Sequence, residues 1–230
     1  MELKKYLQYA RLQLDYYALA ETVAHFTNKL RAAAVKDFPA GDDETLYSYQ
    51  VPDLSTDGSC SIADTSDPQY YDLTEILGGR SQRSTQRLAA LNALVTKAAK
   101  TISVDWLGIY QRRTKPDGTE VLVKLAYWGA ISRAEFPLNK EFAARSNNST
   151  VGMSGIGRII NNIAKYIDAG GPYYNCDMRV KAEACLPLLT FNPSHIEGII
   201  DAEAWHTDFF SSTTLAPLLA LCLVAPEFLI

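Results

Sequence analysis

The sequence has no basic run, no apolar stretch near its start and no Cys-x-x-Cys pair. With 22 Lys and Arg against 26 Asp and Glu, the formal net charge is −4, which argues against a nucleic-acid or anionic-membrane binder. The first residues lack the apolar core of a signal peptide. The apolar segment at 215–230 is too short to span a bilayer and is interrupted by two prolines. We therefore expect a cytoplasmic protein without nucleic-acid or membrane partners.

Cysteine and histidine are also scarce. The four cysteines are irregularly spaced and only three histidines accompany them, so the sequence predicts no metal site. Cysteines in the cytosol are reduced by default, which leaves single thiols free for chemistry. The four are Cys60, Cys176, Cys185 and Cys222.

The chain does have ample material for a core, with 47% hydrophobic and 10% aromatic residues. Apolar residues at helical spacing predict one long helix over 2–36. Residues 37–82 are rich in Asp, Ser, Thr, Gly, Pro and Tyr and show no lasting period, so we expect an irregular surface segment. A structureless stretch of this length is unusual inside a compact domain. The prediction is an extension at 1–82, made of the helix and the irregular segment, followed by a domain at 83–230.

Helical and strand periods alternate in the second part, which predicts an α+β domain whose antiparallel sheet is flanked by helices. The predicted elements are a helix over 84–101 capped by Ser84, a hairpin of strands at 105–113 and 121–129, a polar loop at 139–150, a short helix at 155–167, a hairpin of strands at 183–191 and 196–205, and a helix from Ser212.

Side-chain alternation brings two aromatic residues to one face of a predicted strand. Trp106, Gly108 and Tyr110 share a face, and two large rings with a glycine between them form a wall with a gap, suited to a small ligand. The alternative is that both rings belong to the core.

Carboxylates share strand faces in the same way. Asp201 lies on one face with Glu203, and Glu183 shares a face with Cys185. Because carboxylates are costly to bury without partners, they line a polar pocket or lie on a solvated face. Cys176 lies in a polar stretch before these strands, where an accessible thiolate can react. The alternative is that Cys176 is an ordinary surface thiol.

Three motifs in this order resemble the GAF-domain family of free methionine-R-sulfoxide reductases. That family has an N-W-x-G-F-Y strand, and residues 105–110 read D-W-L-G-I-Y. It has a Cys-Asp pair, a Glu seven residues after the Cys and a Pro four further on, and it ends in a G-V-x-D-x-D strand, where residues 198–203 read G-I-I-D-A-E. The residues that match the middle motif are Cys176, Asp177, Glu183 and Pro187. The resemblance covers residues 105–210 and implies a six-stranded antiparallel sheet with helices packed on it.

The resemblance also implies roles for these residues. Trp106 and Tyr110 would enclose the methylthio end of free methionine sulfoxide or a similar small molecule. Cys176 would attack the sulfoxide sulfur and become a sulfenic acid, while a protonated acid assists loss of the oxygen. A second thiol and an external reductant such as thioredoxin would then restore Cys176, and no cofactor is needed. The acids on the polar side of the substrate would be Glu183, Asp201 and Glu203.

This sequence departs from the family at two positions. Family members carry two further cysteines, and here Arg133 stands near the first position and Ile156 at the second. Either another thiol resolves the sulfenic acid, or the chain has no internal resolving thiol and its activity is altered or lost. Cys185 is the first possibility, Cys60 the second and Cys222 the weakest. The alternative function is a non-catalytic GAF module that binds a small molecule or mediates dimerisation. In either case we expect a homodimer formed through terminal helices.

Overall fold

The computed structural model describes residues 1–35, 44–54, 60–61, 69–174, 177–190 and 195–230. Helices and strands are interspersed along the chain, and short 3₁₀ helices occur at Glu44–Leu46 and Ala225–Phe228. The helices are α1 (Leu3–Tyr9), α2 (Tyr16–Ala34), α3 (Gln82–Ile102), α4 (Lys140–Ala143), α5 (Asn147–Ser154), α6 (Ile163–Asp168) and α7 (Ser212–Val224). The strands are β1 (Ser48–Val51), β2 (Asp53–Leu54), β3 (Cys60–Ser61), β4 (Gln69–Asp72), β5 (Trp106–Thr114), β6 (Glu120–Trp128), β7 (Glu135–Pro137), β8 (Arg158–Ile160), β9 (Ala182–Leu189) and β10 (Ile196–Ala204). Among the described residues, no helix is both long and apolar enough to cross a membrane.

One six-stranded antiparallel sheet organises the molecule, in the order β7-β6-β5-β10-β9-β8. Its two central strands, β5 and β10, come from the two predicted hairpins. Helices α2, α3 and α7 pack together, and α3 and α7 cover one face of the sheet, whereas α5 packs on β9 and β10. The strands are buried on both faces. The predicted α+β architecture with an antiparallel sheet flanked by helices is therefore confirmed.

Because side chains alternate between the two faces of a strand, the residues of β5 belong to two different hydrophobic clusters. Leu107 and Ile109 point into the large core beneath the three long helices, whereas Trp106 and Tyr110 join a smaller aromatic cluster on the opposite face. Cys185 of β9 belongs to that second cluster. The residues predicted to bind a ligand therefore lie on the face away from the main core.

The single helix predicted over 2–36 is wrong, because the chain forms two helices there. Arg11 adopts φ of 52°, a left-handed conformation that ends a helix. Asp15 then starts α2, since its carboxylate accepts hydrogen bonds from the backbone N–H groups of Tyr17 and Ala18. Helix α2 shares the main core with α3 and α7, while the domain boundary at residue 83 stays a prediction.

Four other local predictions differ from the structure. The cap of α3 is Ser81, which exchanges hydrogen bonds with the predicted cap Ser84 in a capping box. The described part of the irregular segment contains the antiparallel pair β1 and β4. The helix predicted at 155–167 is a sheet-edge strand followed by a short helix, and the polar loop at 139–150 folds into α4 and the start of α5.

Tyr47 anchors the described part of this segment to α3. It is fully buried, and its hydroxyl lies 2.7 Å from Ser84 Oγ and 2.9 Å from Thr85 Oγ1. We expect Tyr47→Phe to lower the free energy of unfolding by about 1–2 kcal/mol, since it removes a buried hydrogen-bonding group. Urea denaturation measures the loss. Tyr17→Phe, at a position 86% exposed, is the control and should leave the unfolding midpoint unchanged.

Candidate active site

A narrow cavity opens beside the end of the sheet where β5 and β10 pair. Trp106 and Tyr110 line it on the apolar side, and Asp201 and Glu203 line it on the polar side. Its volume is only about 30 Å³, which is room for one or two water molecules. A ligand the size of an amino acid therefore enters only when the residues that line the cavity move apart.

Gly108 makes room for the Trp106 ring. A Cβ atom built at Gly108 would overlap the six-membered ring of Trp106, which folds across the glycine. The indole N–H donates to the carbonyl of Ala130 at 3.0 Å, and the Trp106 and Tyr110 ring centroids are 6.3 Å apart. The gap predicted between the two rings is therefore filled by the indole itself.

Two buried acids, Glu183 and Asp201, lie on neighbouring strands, and Asp201 lines the cavity. Asp201 on β10 is paired in register with Cys185 on β9, and Glu203 with Glu183. Glu183 is 3% and Asp201 2% exposed, and one carboxyl oxygen of each lies within 4.8 Å of the other. Two carboxyl groups this close in a buried site favour the state in which one of them is protonated.

Burial holds a proton on this acid pair. It raises the pKa of Glu183, although hydrogen bonds from Tyr173 and Asn147 oppose the rise. It raises the pKa of Asp201 well above the ordinary value, with further contributions from the charges of Glu183 and Glu203. The pair can therefore act as a proton donor near neutral pH.

Two consecutive asparagines orient the acids. Asn147 donates through its side-chain amide to Glu183 Oε1, and Asn148 donates to Asp201 Oδ2 at 2.8 Å. Both are buried in the first turn of α5. The prediction of a polar loop at 139–150 did not identify these asparagines as site residues. The signal available in the sequence was Ser146, a residue type preferred at helix N-caps, whose hydroxyl accepts a hydrogen bond from the backbone N–H of Ser149.

Comparison with solved structures identifies the architecture. Free methionine-R-sulfoxide reductase from Neisseria meningitidis, solved in complex with its substrate, superposes with a TM-score of 0.50 at 18% identity, covering 67% of this chain and 86% of that one. The GAF domain of an Acinetobacter phosphoenolpyruvate-protein phosphotransferase superposes with a TM-score of 0.49 at 16% identity, covering 67% and 85%. A type II free methionine-R-sulfoxide reductase from Thermoplasma acidophilum gives 0.48 at 17% identity, covering 64% and 98%.

This chain has a GAF fold. No protein-family model matches the sequence, and no curated protein matches it either. The resemblance to GAF domains of the free methionine-R-sulfoxide reductase type is thus supported at the level of structure. At 18% identity the likeness shows the fold alone, so the chemistry of this GAF domain has to be argued from its own residues.

The predicted nucleophile, Cys176, lies outside the described residues. The chain on either side of it reaches the site: Tyr174 packs on Phe142 with ring centroids 5.5 Å apart, and Asp177 lines the cavity. Hydrogen bonds from Arg179 lower the pKa of Asp177, so this carboxylate is ionised at neutral pH.

The other thiols lie in different surroundings. Cys185 is fully buried, and its sulfur and one oxygen each of Glu183 and Asp201 lie within 4.8 Å of one another. Cys222 lies in the main core on the opposite face, next to Tyr6. The side chain of Cys60 lies outside the described residues, and the resolving role of either Cys185 or Cys60 stays a prediction.

Arg133 lies in the aromatic cluster, near one of the two positions where the family has a further cysteine. It is 5% exposed, and its guanidinium carbon lies 4.9 Å from the ring centroids of both Phe136 and Phe142. Ile156, at the other position, follows the C-cap of α5.

We expect the two described cysteine thiols to resist modification in the native protein. Burial raises the pKa of Cys222 to about 12, and burial with the neighbouring charges of Asp201 and Glu183 raises that of Cys185 well above its ordinary value. Both thiols therefore stay protonated and inert at pH 8. In a variant with Cys60 and Cys176 replaced by serine, Ellman's reagent should detect no rapidly reacting thiol until guanidinium chloride is added, and then two. A rapid reaction in the native state would contradict this.

Proposed function

We propose that this GAF domain reduces free methionine-R-sulfoxide, or a related small sulfoxide, with Cys176 as the nucleophile. The observation that carries the proposal is a buried proton donor, the acid pair Glu183 and Asp201 with raised pKa values, of which Asp201 lines the same cavity as Trp106 and Tyr110. A sulfoxide needs such a donor, because its oxygen leaves only when it is protonated.

The reaction begins with binding of the substrate. The rings of Trp106 and Tyr110 enclose the apolar methylthio end, and Glu203 at the more exposed end of the acid row accepts hydrogen bonds from the ammonium group. The sulfoxide oxygen then lies against the acid pair, where it accepts the shared proton. Asn147 and Asn148 keep the two carboxyl groups in place as the proton moves.

The covalent step moves one oxygen atom from substrate to protein. The Cys176 thiolate attacks the sulfur of the protonated sulfoxide and forms a transient sulfur–sulfur bond. The hydroxyl group then passes from the substrate sulfur to the Cys176 sulfur as the sulfur–sulfur bond breaks, and the products are methionine and Cys176 sulfenic acid. A thiol then condenses with the sulfenic acid to give a disulfide and water, and a second thiol reduces this disulfide. We propose a thioredoxin-like protein as the physiological reductant and Cys185 as the first internal thiol to test.

A turnover assay with a small dithiol tests the proposal directly. Full-length protein is incubated with free methionine-R-sulfoxide and dithiothreitol, and methionine is measured. We expect turnover of the R epimer, less turnover of the S epimer, and none with Cys176→Ser. Cys222→Ser changes a thiol on the far face and serves as the matched control. Because dithiothreitol replaces any internal resolving thiol, absence of wild-type turnover would contradict the enzyme function.

The second possibility is a GAF module that binds a small molecule or mediates dimerisation without catalysis. It is favoured by Arg133 and Ile156, which stand at or near the positions where the free methionine-R-sulfoxide reductases that this sequence resembles have two further cysteines. Calorimetry that detects methionine sulfoxide binding without turnover would support this alternative. Analytical ultracentrifugation tests the proposed homodimer in either case, and a monomer at micromolar concentration would contradict it.

A further inference from the structure

Three buried side chains, one of which lines the cavity, converge with atoms suited to a metal ion. A sulfur of Cys185 and one carboxylate oxygen each from Glu183 and Asp201 lie within 4.8 Å of one another. A point equidistant from three atoms at that separation is about 2.8 Å from each, compared with zinc–ligand bonds of roughly 2.0–2.3 Å. Small side-chain rotations are enough to close this difference.

The sheet fixes the three ligands independently of any ion. Asp201 faces Cys185 across the ladder between β10 and β9, and Glu183 lies two residues from Cys185 on the same strand face. Asn147 and Asn148 donate hydrogen bonds to the two carboxyl groups. Hydrogen bonds of this kind hold carboxylate ligands in the orientation that a metal ion requires.

Two buried oxygen atoms at this place have unused capacity. Among the described residues, no N–H or hydroxyl group donates to Asp201 Oδ1, and Asn147 Oδ1 has no hydrogen-bond partner. Asp201 is 2% and Asn147 4% exposed. Unsatisfied oxygens at this burial are costly, and a cation bound by Asp201 would satisfy its free carboxylate oxygen.

We propose that Glu183, Cys185 and Asp201 form a binding site for a divalent zinc-class ion. A sulfur with two carboxylate oxygens selects a borderline ion such as Zn²⁺ over Mg²⁺ or Ca²⁺, which take oxygen ligands alone. Binding releases the thiol proton and the proton shared by the acids. Asp201 also lines the cavity, which provides the path of entry and leaves a fourth position open toward it.

The site uses the same acids that the proposed reaction needs. Zinc therefore competes with the sulfoxide and removes the proton donor, so the bound ion switches the reductase off. This competition rests on the proposed function, whereas the binding itself does not.

Cobalt spectroscopy on full-length, tag-free protein tests the binding without measuring activity. Cys60 and Cys176 are first replaced by serine, so Cys185 and Cys222 are the remaining thiols, and Co²⁺ is added at pH 7.5. We expect a thiolate-to-cobalt charge-transfer band that saturates at one equivalent and disappears when Zn²⁺ displaces the cobalt. Absence of the band in excess Co²⁺ would overturn the proposal.

Substitutions then assign the ligands. In this background Cys185→Ser should abolish the band, Asp201→Asn should weaken Co²⁺ binding at least ~100-fold because it removes a charged ligand, and Cys222→Ser should change nothing. A band that survives Cys185→Ser, or that is lost with Cys222→Ser, would refute the assignment. Circular dichroism checks folding, and if Cys185→Ser does not fold, the nearly isosteric Asp201→Asn decides alone. Because Cys176 is absent throughout, failure of the reductase proposal leaves this result unaffected.

Discussion

Asp201→Asn is expected to lower the turnover of free methionine-R-sulfoxide by roughly 10²–10⁴-fold, which is the usual contribution of a positioned proton donor. The amide keeps the shape of the carboxyl group and retains an oxygen for the hydrogen bond from Asn148. It cannot share a proton with Glu183. Steady-state assays with dithiothreitol, read as kcat and KM separately, measure the loss, and we expect most of it in kcat.

Glu197→Gln provides the control for this substitution. Glu197 lies on the same strand, about 13 Å from Asp201 along β10, and its carboxylate is paired with His195. Its removal should leave kcat unchanged. Equal losses of activity in the two variants would contradict a special role for Asp201.

The stability of the Asp201 variant gives a second readout. The raised pKa of Asp201 means that the folded protein keeps a proton that the unfolded chain loses. The free energy of unfolding of the wild type therefore falls as the pH rises from the ordinary aspartate pKa toward the raised one. Asp201→Asn removes this titration, so its stability between pH 5 and 8 should depend less on pH. Urea denaturation across this range measures the difference in slope.

Gly108→Ala is expected to destabilise the protein by about 1–3 kcal/mol, the usual cost of overpacking a filled site. The new methyl group would overlap the Trp106 ring, and it cannot be accommodated unless the ring leaves its place over the strand. We expect the melting temperature to fall by ~2–4 °C per kcal/mol lost. Trp106 fluorescence should report a changed environment.

A double-mutant cycle separates the ring from the backbone. In a Trp106→Ala background the obstacle is gone, so Gly108→Ala should cost little or become favourable. The coupling energy between the two positions is then the measured quantity. If Gly108→Ala lowers the free energy of unfolding equally in the Trp106→Ala background, the glycine is required by the backbone conformation and not by the position of the ring.

The sequence predicts the sheet well because strand alternation is a local signal. The same-face sets that include Trp106 with Tyr110 and Asp201 with Glu203 depend only on strand parity, and the structure places these four residues around one cavity. The partner strand could not be predicted this way. That Asp201 lies opposite Cys185 depends on the register between two strands, which parity alone leaves open.

The missed features depend on tertiary packing. Asn147 and Asn148 lie in a polar stretch with no apolar period, and only their burial against Glu183 and Asp201 makes them part of the site. The break at Arg11 interrupts an apolar pattern that continues across it, because α1 and α2 both have apolar faces that are buried in the same core. Periodicity records which face is buried and carries little information on where a helix ends.

The narrowness of the cavity has a kinetic consequence. Space for one or two water molecules does not admit an amino acid, so residues that line the cavity, Pro52 and Asp177 among them, have to move apart before a ligand binds. If open molecules are a minority, the apparent dissociation constant exceeds the intrinsic one by the inverse of their fraction. The observed association rate should then reach a plateau at high ligand concentration, set by the opening step. Substitutions at Pro52 or Asp177 would change both quantities without touching an atom of the acid pair.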